Sequence, residues 1–463
     1  MVALDLMVII LYFLVMILIG IRSMRKIRSK TDYLVAGKRL SYGLYIPAMS
    51  AVVLGGASTL GGSSLGYQHG ISGMWLVFMI GLGIIGMGLL FAKPLGTMRI
   101  LSVSELLWNK FGPASRYFSA AVMTVYDTMV AVTSIIAMGV ILRTLFGWDT
   151  TISILIGGVV VLFYTVLGGM WAVTLTDVGQ FWIMTIGLIL ILLPMGLIRV
   201  GGYEGLQTHL DPSFFSLTSV GMPSIFSYFL LYFFGMMIGQ DIWQRALTAK
   251  SGRVLKLGTI ISGIYCIIYA ISGALIGMSA KVLLPNLSDP QQALPQLAVA
   301  LLPHGLLGVV FAAVAAAVMS TASGTLMAAS TILVNDILLP LRPVNIQEKL
   351  IIKYTRLTTI LIGLSAIGIG TWLKQIVVAL DVAYALLSGS IFIPVVAAFF
   401  WKRVSAQVTI VSMVLSAVVV VLGLIIEGIS SLNPIIYGVV CSGLVILIGS
   451  ILGRNKTSAT KQP

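Results

Sequence analysis

Apolar runs of about twenty residues recur along the whole chain and constrain its fold more than any other feature. Each has the length that a helix needs to cross a bilayer, and in hydrocarbon the backbone polar groups of such a segment must be answered within it. Thirteen runs are read, at about 3–22, 43–68, 71–95, 117–142, 151–167, 177–198, 224–243, 256–280, 305–333, 352–373, 376–400, 407–426 and 433–453. The expectation is an all-α polytopic membrane protein. A mean hydropathy of +1.08 agrees, as does a charged fraction of 9%, where soluble domains carry about a quarter. The first run follows Asp5 and precedes a basic cluster, the reverse of a cleavable signal peptide, so it reads as a retained helix. The loops 201–222 and 283–304 are short and the tail Asn455–Pro463 is polar, so no soluble module is expected.

The net charge of +14 would invite a nucleic-acid partner if the basic residues formed one surface. They do not. Arg22 to Arg39, Lys93 to Arg116, Arg245 to Lys256, Arg342 to Arg356, Lys402 with Arg403, and Arg454 to Lys461 occupy alternate loops, leaving only Arg143, Arg199, Lys281 and Lys374 on the other side. This is the positive-inside pattern. It excludes nucleic acid, places the lipid bilayer around the chain, and puts the N-terminus outside and the C-terminus in the cytoplasm. The style of chain fits a bacterial inner membrane. Cys266 and Cys441 lie in apolar runs with no metal-ligand spacing, and no obligate protein partner is implied.

Polarity inside the apolar runs marks the places where chemistry is expected. The run 305–333 contains Ala317-Val318-Met319-Ser320-Thr321-Ala322-Ser323-Gly324, followed by Thr325, Ser330 and Thr331. On a helix Ala317, Ser320, Thr321 and Gly324 share one face, offering two hydroxyls and a carbonyl. Hard oxygen donors without a carboxylate suit a weakly held monovalent cation; the same small residues also suit close helix packing. The second run is interrupted by Gly55, Gly56, Gly61, Gly62 and Gly66 with Ser58, Thr59, Ser63 and Ser64, and such a break frees carbonyls that a cavity or ion must receive. A second break is read at Gly235-Met236-Met237-Ile238-Gly239, before Gln240 and Asp241, with Arg245 four residues on as the expected salt-bridge partner of Asp241. The two breaks each open a set of five runs, the spacing of an inverted repeat. Thr176 is expected to begin a helix with Asp177 in its first turn. Asp127, beside Tyr126, and Asp381, near Tyr384, are carboxylates within apolar runs and need a functional reason.

These residues resemble the sodium/solute symporter family, which includes carriers of proline, sugars, sialic acid and pantothenate. The resemblance rests on Asp32–Arg39, on Gly66-Tyr67 with Gly70, and on Gly168-Gly169 with Thr176, Asp177 and Gln180. Gln244-Arg245-Ala246-Leu247-Thr248-Ala249-Lys250 and Ala317-Val318-Met319-Ser320-Thr321 follow, spread over about 30–335 in the family's order. It implies a LeuT-like core of two inverted five-helix repeats, with one helix before and two after. The corresponding division is 1–42 for the first helix and basic loop, 43–401 for the transport core and 402–463 for the peripheral helices and tail.

The same resemblance implies sodium as the coupling ion, held by the carbonyls of Ala51, Leu54 and Ala317 and the hydroxyls of Ser320 and Thr321. A second sodium would use Asp177, Ser320 and Ser323, but Gly324 stands where a serine is expected. Ser58 and Val77 at the sugar carriers' polar positions argue against a sugar, and Val53 replaces an aspartate of the proline carriers. What remains is Asp127 and Asp381, with Tyr126, Tyr384, Trp75, Gln240 and Ser58 as companions. A buried carboxylate keeps its charge beside a cation, so the expected solute is an amine or quaternary ammonium, imported by alternating access. A proton-coupled permease on this fold, or a sodium symporter of an amino acid or carboxylate, is the alternative. An intramembrane aspartyl protease is disfavoured because no Gly-x-Gly-Asp precedes Asp381, and a transporter-like sensor would need a signalling domain. No enzyme is expected.

Overall fold

A computed structural model describes residues 3–24, 30–98, 100–167, 169–341, 347–401 and 404–457. Gly168, Arg25, Lys26, Arg28, Arg99, Arg342, Lys402, Arg403 and the end of the tail, all used above, lie outside the described residues. The described chain is helical nearly throughout, and the helices that build the bundle and its breaks begin with α1 (Ala3–Met24), α2 (Tyr42–Val53), α3 (Gly62–His69), α4 (Trp75–Leu90), α5 (Val103–Phe111), α6 (Pro113–Phe146) and α7 (Thr150–Leu167). They continue with α8 (Met170–Val200), α9 (Met222–Ile238), α10 (Gln240–Ala246), α11 (Gly252–Leu283) and α12 (Leu306–Leu338). The last four are α13 (Glu348–Leu373), α14 (Ile376–Phe400), α15 (Ala406–Glu427) and α16 (Pro434–Thr457).

Among the described residues ten stretches are long and apolar enough to cross a membrane, or eleven when the pair α9 and α10, bent by 43°, counts as one. One of the ten, Ala57–Leu90, reverses direction. A Cβ on Gly66 would meet Ala274 and one on Gly277 would meet Ser63 and Tyr67, so α3 runs parallel to α11. A Cβ on Gly81 would meet Gly263 and one on Gly88 would meet Lys256, so α4 runs antiparallel to it. The turn lies at Gly70, whose φ of +64° suits glycine. With α2 joined to α3 across its break and the shorter α7 included, the count is about thirteen.

α12 is the axis of the bundle, buried along nearly all its length and packed against α6, α8 and α1. The outward faces of α1, α15 and α16 are apolar and exposed, as lipid contact requires. Near one rim the loops after α1 and α10 meet, where Leu40 N–H donates to Thr248 O and Lys250 N–H to Leu40 O, both at 3.0 Å. The basic segments around Lys38 and Lys250 thus share one end of the bundle.

Two of the arginines counted with that rim are internal. Arg116 donates to Asp336 at 2.9 Å and Arg245 to Asp177 at 2.9 Å, each pair almost wholly buried. The expected pairing of Arg245 with Asp241 is therefore corrected: the guanidinium reaches across to α8. The expected helix start at Thr176 is corrected too. α8 begins at Met170 after Gly169, and Thr176, a turn and a half inside, donates to the carbonyls of Ala172 and Val173 at 3.1 and 2.9 Å.

Candidate functional site

The first break is a place where hydroxyls replace the helix ladder. α2 ends at Val53 and the chain resumes as helix at Gly56. Leu54 N–H lies 3.3 Å from both Ser50 O and Ala51 O, Ser58 Oγ donates to Val53 O at 3.0 Å and Thr59 Oγ1 to Leu54 O at 3.3 Å. Carbonyls loosened in this way remain strong acceptors that a cation can share.

α12 closes on the break through Thr321. Thr321 Oγ1 donates to Val52 O at 2.7 Å. Gly55 makes the approach possible, since a Cβ there would stand 2.2 Å from Thr321 Oγ1. Ser320, on the same face, donates to Asp177 Oδ1 at 2.6 Å. A hydroxyl that spends its proton on an acceptor keeps its lone pairs, so Ser320 and Thr321 can each still face a cation. Thr321 thus meets the end of α2, Ser320 meets α8, and Ala51, Leu54, Ala317, Ser320 and Thr321 are all buried.

A cavity of ≈ 20 Å³, about room for one water, adjoins this junction. Val53, Ser58, Thr133, Asp241, Thr321 and Tyr384 are among its walls. Asp241, expected to pair with Arg245, lines this cavity instead, and its position just after the second break is the sequence signal that points here. The Tyr126 hydroxyl lies 3.2 Å from Asp241 Oδ1 and 2.8 Å from the Tyr384 hydroxyl, with the two rings edge to face at 5.0 Å. Asp127 is fully buried and faces the backbone of Asp241, and neither carboxyl oxygen has a hydrogen-bond partner among the described residues.

Two expected solute contacts, Trp75 and Gln240, bond elsewhere, and a third, Asp381, stays beside the cavity. Trp75 donates through its indole to Leu217 O at 2.7 Å, in the loop between α8 and α9. Gln240 accepts from Val103 N–H at 3.0 Å and donates to Leu101 O at 3.2 Å, so it braces the start of α5. Asp381 accepts the hydroxyl of Tyr232 and stays beside the cavity, whose wall on α14 is Leu380 and Tyr384. Of the second expected ion site, Asp177 faces Arg245, and Ser323 is turned onto its own helix, donating to Ser320 O at 3.1 Å.

The family model described as the sodium:solute symporter family matches residues 33–416. The chain belongs to this family. Among its relatives, the high-affinity proline transporter of Bacillus subtilis is 28% identical, the alignment covering 88% of this chain and 89% of the relative. The sodium/pantothenate symporter of Escherichia coli is 24% identical over 97% and 96% of the two chains. A substrate-bound, outward-open Na+-coupled sialic acid symporter has the same fold, with a TM-score of 0.82, 21% identity and coverage of 97% of this chain and 98% of the other. This symporter is thus a multi-pass membrane transporter with a LeuT-like fold and sodium as its coupling ion. It is not an enzyme.

Proposed function

We propose that this symporter imports a small solute bearing a cationic nitrogen, with Asp241 as the anion that meets it. The carrying observation is that Asp241 lines the cavity beside the broken α2, held by Tyr126, while the Asp127 carboxyl behind it has no hydrogen-bond partner among the described residues. A carboxylate at this depth keeps its charge beside a cation, and the Tyr126 and Tyr384 rings add cation–π contact. The cavity is smaller than any organic solute, so solute enters an opened arrangement and the residues close afterwards. Proline, named for the Bacillus subtilis relative, carries such a nitrogen; pantothenate, named for the other, does not.

Sodium lies between the Ala51 and Leu54 carbonyls of the break and the Ala317 carbonyl, Ser320 and Thr321 of α12 in this reading. By bridging the two elements it favours the arrangement that binds solute, and by linkage solute tightens sodium equally. With the N-terminus outside and the C-terminus cytoplasmic, an inward-negative potential contributes about 2.3 kcal/mol per charge per 100 mV to uptake. Residues 43–401 form the transport core, flanked by 1–42 and 402–463, in a bacterial inner membrane.

The test is uptake and charge movement in proteoliposomes with a sodium gradient at fixed pH, using amines, quaternary ammonium compounds, carboxylates and neutral solutes. Sodium-dependent currents with nitrogen cations are expected. Currents confined to carboxylates or neutral solutes would discard the amine reading.

A further inference from the structure

We propose that a groove between α1 and the helices behind it holds one acyl chain of a membrane phospholipid, so that a lipid is a packing element of this symporter.

The groove has a volume of ≈ 320 Å³ and lies where α1 stands off from α6, α7 and α12. Leu6 and Phe13 of α1, Met138 and Phe146 of α6, Val160 of α7 and Phe311 of α12 bound it, and all of its lining residues are apolar. Gly157 of α7 and Ala315 of α12 recess its floor, because neither fills the space between its bulkier neighbours. Leu6, Ile10, Phe146 and Val160 also face outward, each at least 38% exposed, so the groove opens sideways onto the membrane. Phe311 and Ile141, at its back, are only 2% and 3% exposed.

Its length fits one chain from one leaflet. From Leu6 to Phe13 on α1, and from Met138 to Phe146 on α6, the groove runs about 10–12 Å at the helical rise of about 1.5 Å per residue. One leaflet contributes about 15 Å of hydrocarbon. The groove lies at the start of α1, away from the rim that Lys38 and Lys250 share. Phe146 stacks on Trp148 at 4.7 Å, at the exposed end of α6, and such rings mark the headgroup level. The groove therefore begins at one membrane surface and ends near the midplane.

The lining decides the occupant. A solute site carries a few placed polar groups that fix orientation, and water does not stay in a wholly apolar space. Left empty, the walls would forfeit dispersion contacts along their whole length. A methylene chain from the adjoining bilayer restores those contacts and desolvates no polar group. The lips of the groove are continuous with the outward apolar face of α1, which lipid already covers. Phe311 and Ala315 precede Ala317 and Thr321 on α12, so the chain packs against the helix that carries the hydroxyls of the candidate site.

Full-length protein in nanodiscs of phosphatidylethanolamine and phosphatidylglycerol, doped with a phosphatidylcholine carrying a diazirine midway along one acyl chain, tests this by photolysis and peptide mass spectrometry. On illumination the diazirine loses nitrogen, and its carbene inserts into a C–H bond of whatever the chain touches. Label is expected on Phe311 and Ile141, in addition to the label that bulk lipid leaves on the exposed Val418 and Leu422 of α15. Val160→Trp fills the mouth from its lipid-facing lip; the label on Phe311 and Ile141 should be lost while that on α15 is unchanged. Wild-type label confined to α15 and other outward faces would overturn the proposal, and a groove closed by a second copy of this chain would give that pattern. Label on Phe311 that survives in a folded Val160→Trp would overturn it too, because it would have arrived by another path. If the variant does not fold, the wild-type pattern alone decides.

Discussion

The hydroxyl of Thr321 donates to the carbonyl oxygen of Val52 at 2.7 Å, joining two residues 269 positions apart in sequence. This bond ties the end of α2 to the middle of α12 where α2 has lost its own ladder. In the proposed reading a bound cation would strengthen this same link, and the bond's geometry leaves the oxygen's lone pairs available.

Replacing Thr321 by alanine removes one oxygen of the junction while leaving Asp241 and the tyrosines untouched. The sodium concentration for half-maximal uptake is expected to rise on the order of tenfold, the effect of about 1.4 kcal/mol. Solute affinity at saturating sodium should change much less, because solute and ion are coupled only through the shared arrangement. Uptake kinetics over a matrix of both concentrations measures the two effects; equal changes would move the ion elsewhere.

Asp241→Asn keeps the hydrogen bond to Tyr126 and removes the charge facing the cavity. For a cationic solute the half-saturating concentration should increase roughly tenfold to a hundredfold, the loss of a charge-assisted contact worth about 1.5–3 kcal/mol. An uncharged analogue should lose little. Asp127→Asn should weaken the same solutes, since its carboxyl has no partner among the described residues. Competition uptake with charged and uncharged analogues decides, and an unchanged affinity in both variants would sink the amine reading.

At Gly55 the space is already taken, since an added Cβ would lie 2.2 Å from Thr321 Oγ1 and 2.5 Å from Thr321 Cβ. Gly55→Ala is expected to part α2 from α12 and abolish saturable sodium binding. Gly43→Ala is the control, because nothing lies within 4 Å of a Cβ there. Chromatographic profile and sodium binding of both variants separate a lost junction from a lost fold.

One prediction concerns acid stability outside the membrane. Thr151 N–H donates to Asp149 Oδ1 at 2.8 Å at the head of α7, and this backbone contact holds the Asp149 carboxyl below the usual carboxylate range. A carboxyl with a lowered folded-state pKa stabilises above its unfolded value of about 3.9 and loses that contribution as pH falls through the folded value. Asp149→Asn should therefore flatten the decline of the thermal midpoint below about pH 4. Asp149 is exposed, so the effect should be small.

The signals that mark the candidate site are local and therefore legible in the sequence. Hydroxyls at 320 and 321, glycines at 55 and 56, and a second break near Gly239 are each visible within one apolar run. Asp241 was misassigned because the i, i+4 spacing to Arg245 is a true helical neighbour relation, yet the long arginine side chain had another buried acid within reach. Trp75 and Gln240 were placed with the solute for their residue types, and they bond to loop backbone instead. The residue type alone does not say which way a side chain is turned.

The sequence by itself determined where helices form, where they break and which end of the bundle is basic, because length, apolarity, glycine content and charge act over neighbouring residues. The tertiary structure decided which groups meet: Thr321 with Val52, Ser320 with Asp177, Arg245 with Asp177, and Tyr126 with Asp241. Each pairing joins different helices, and a buried polar group takes whichever partner packing brings within about 3 Å, since leaving it unanswered in an apolar interior costs more than the bond itself returns.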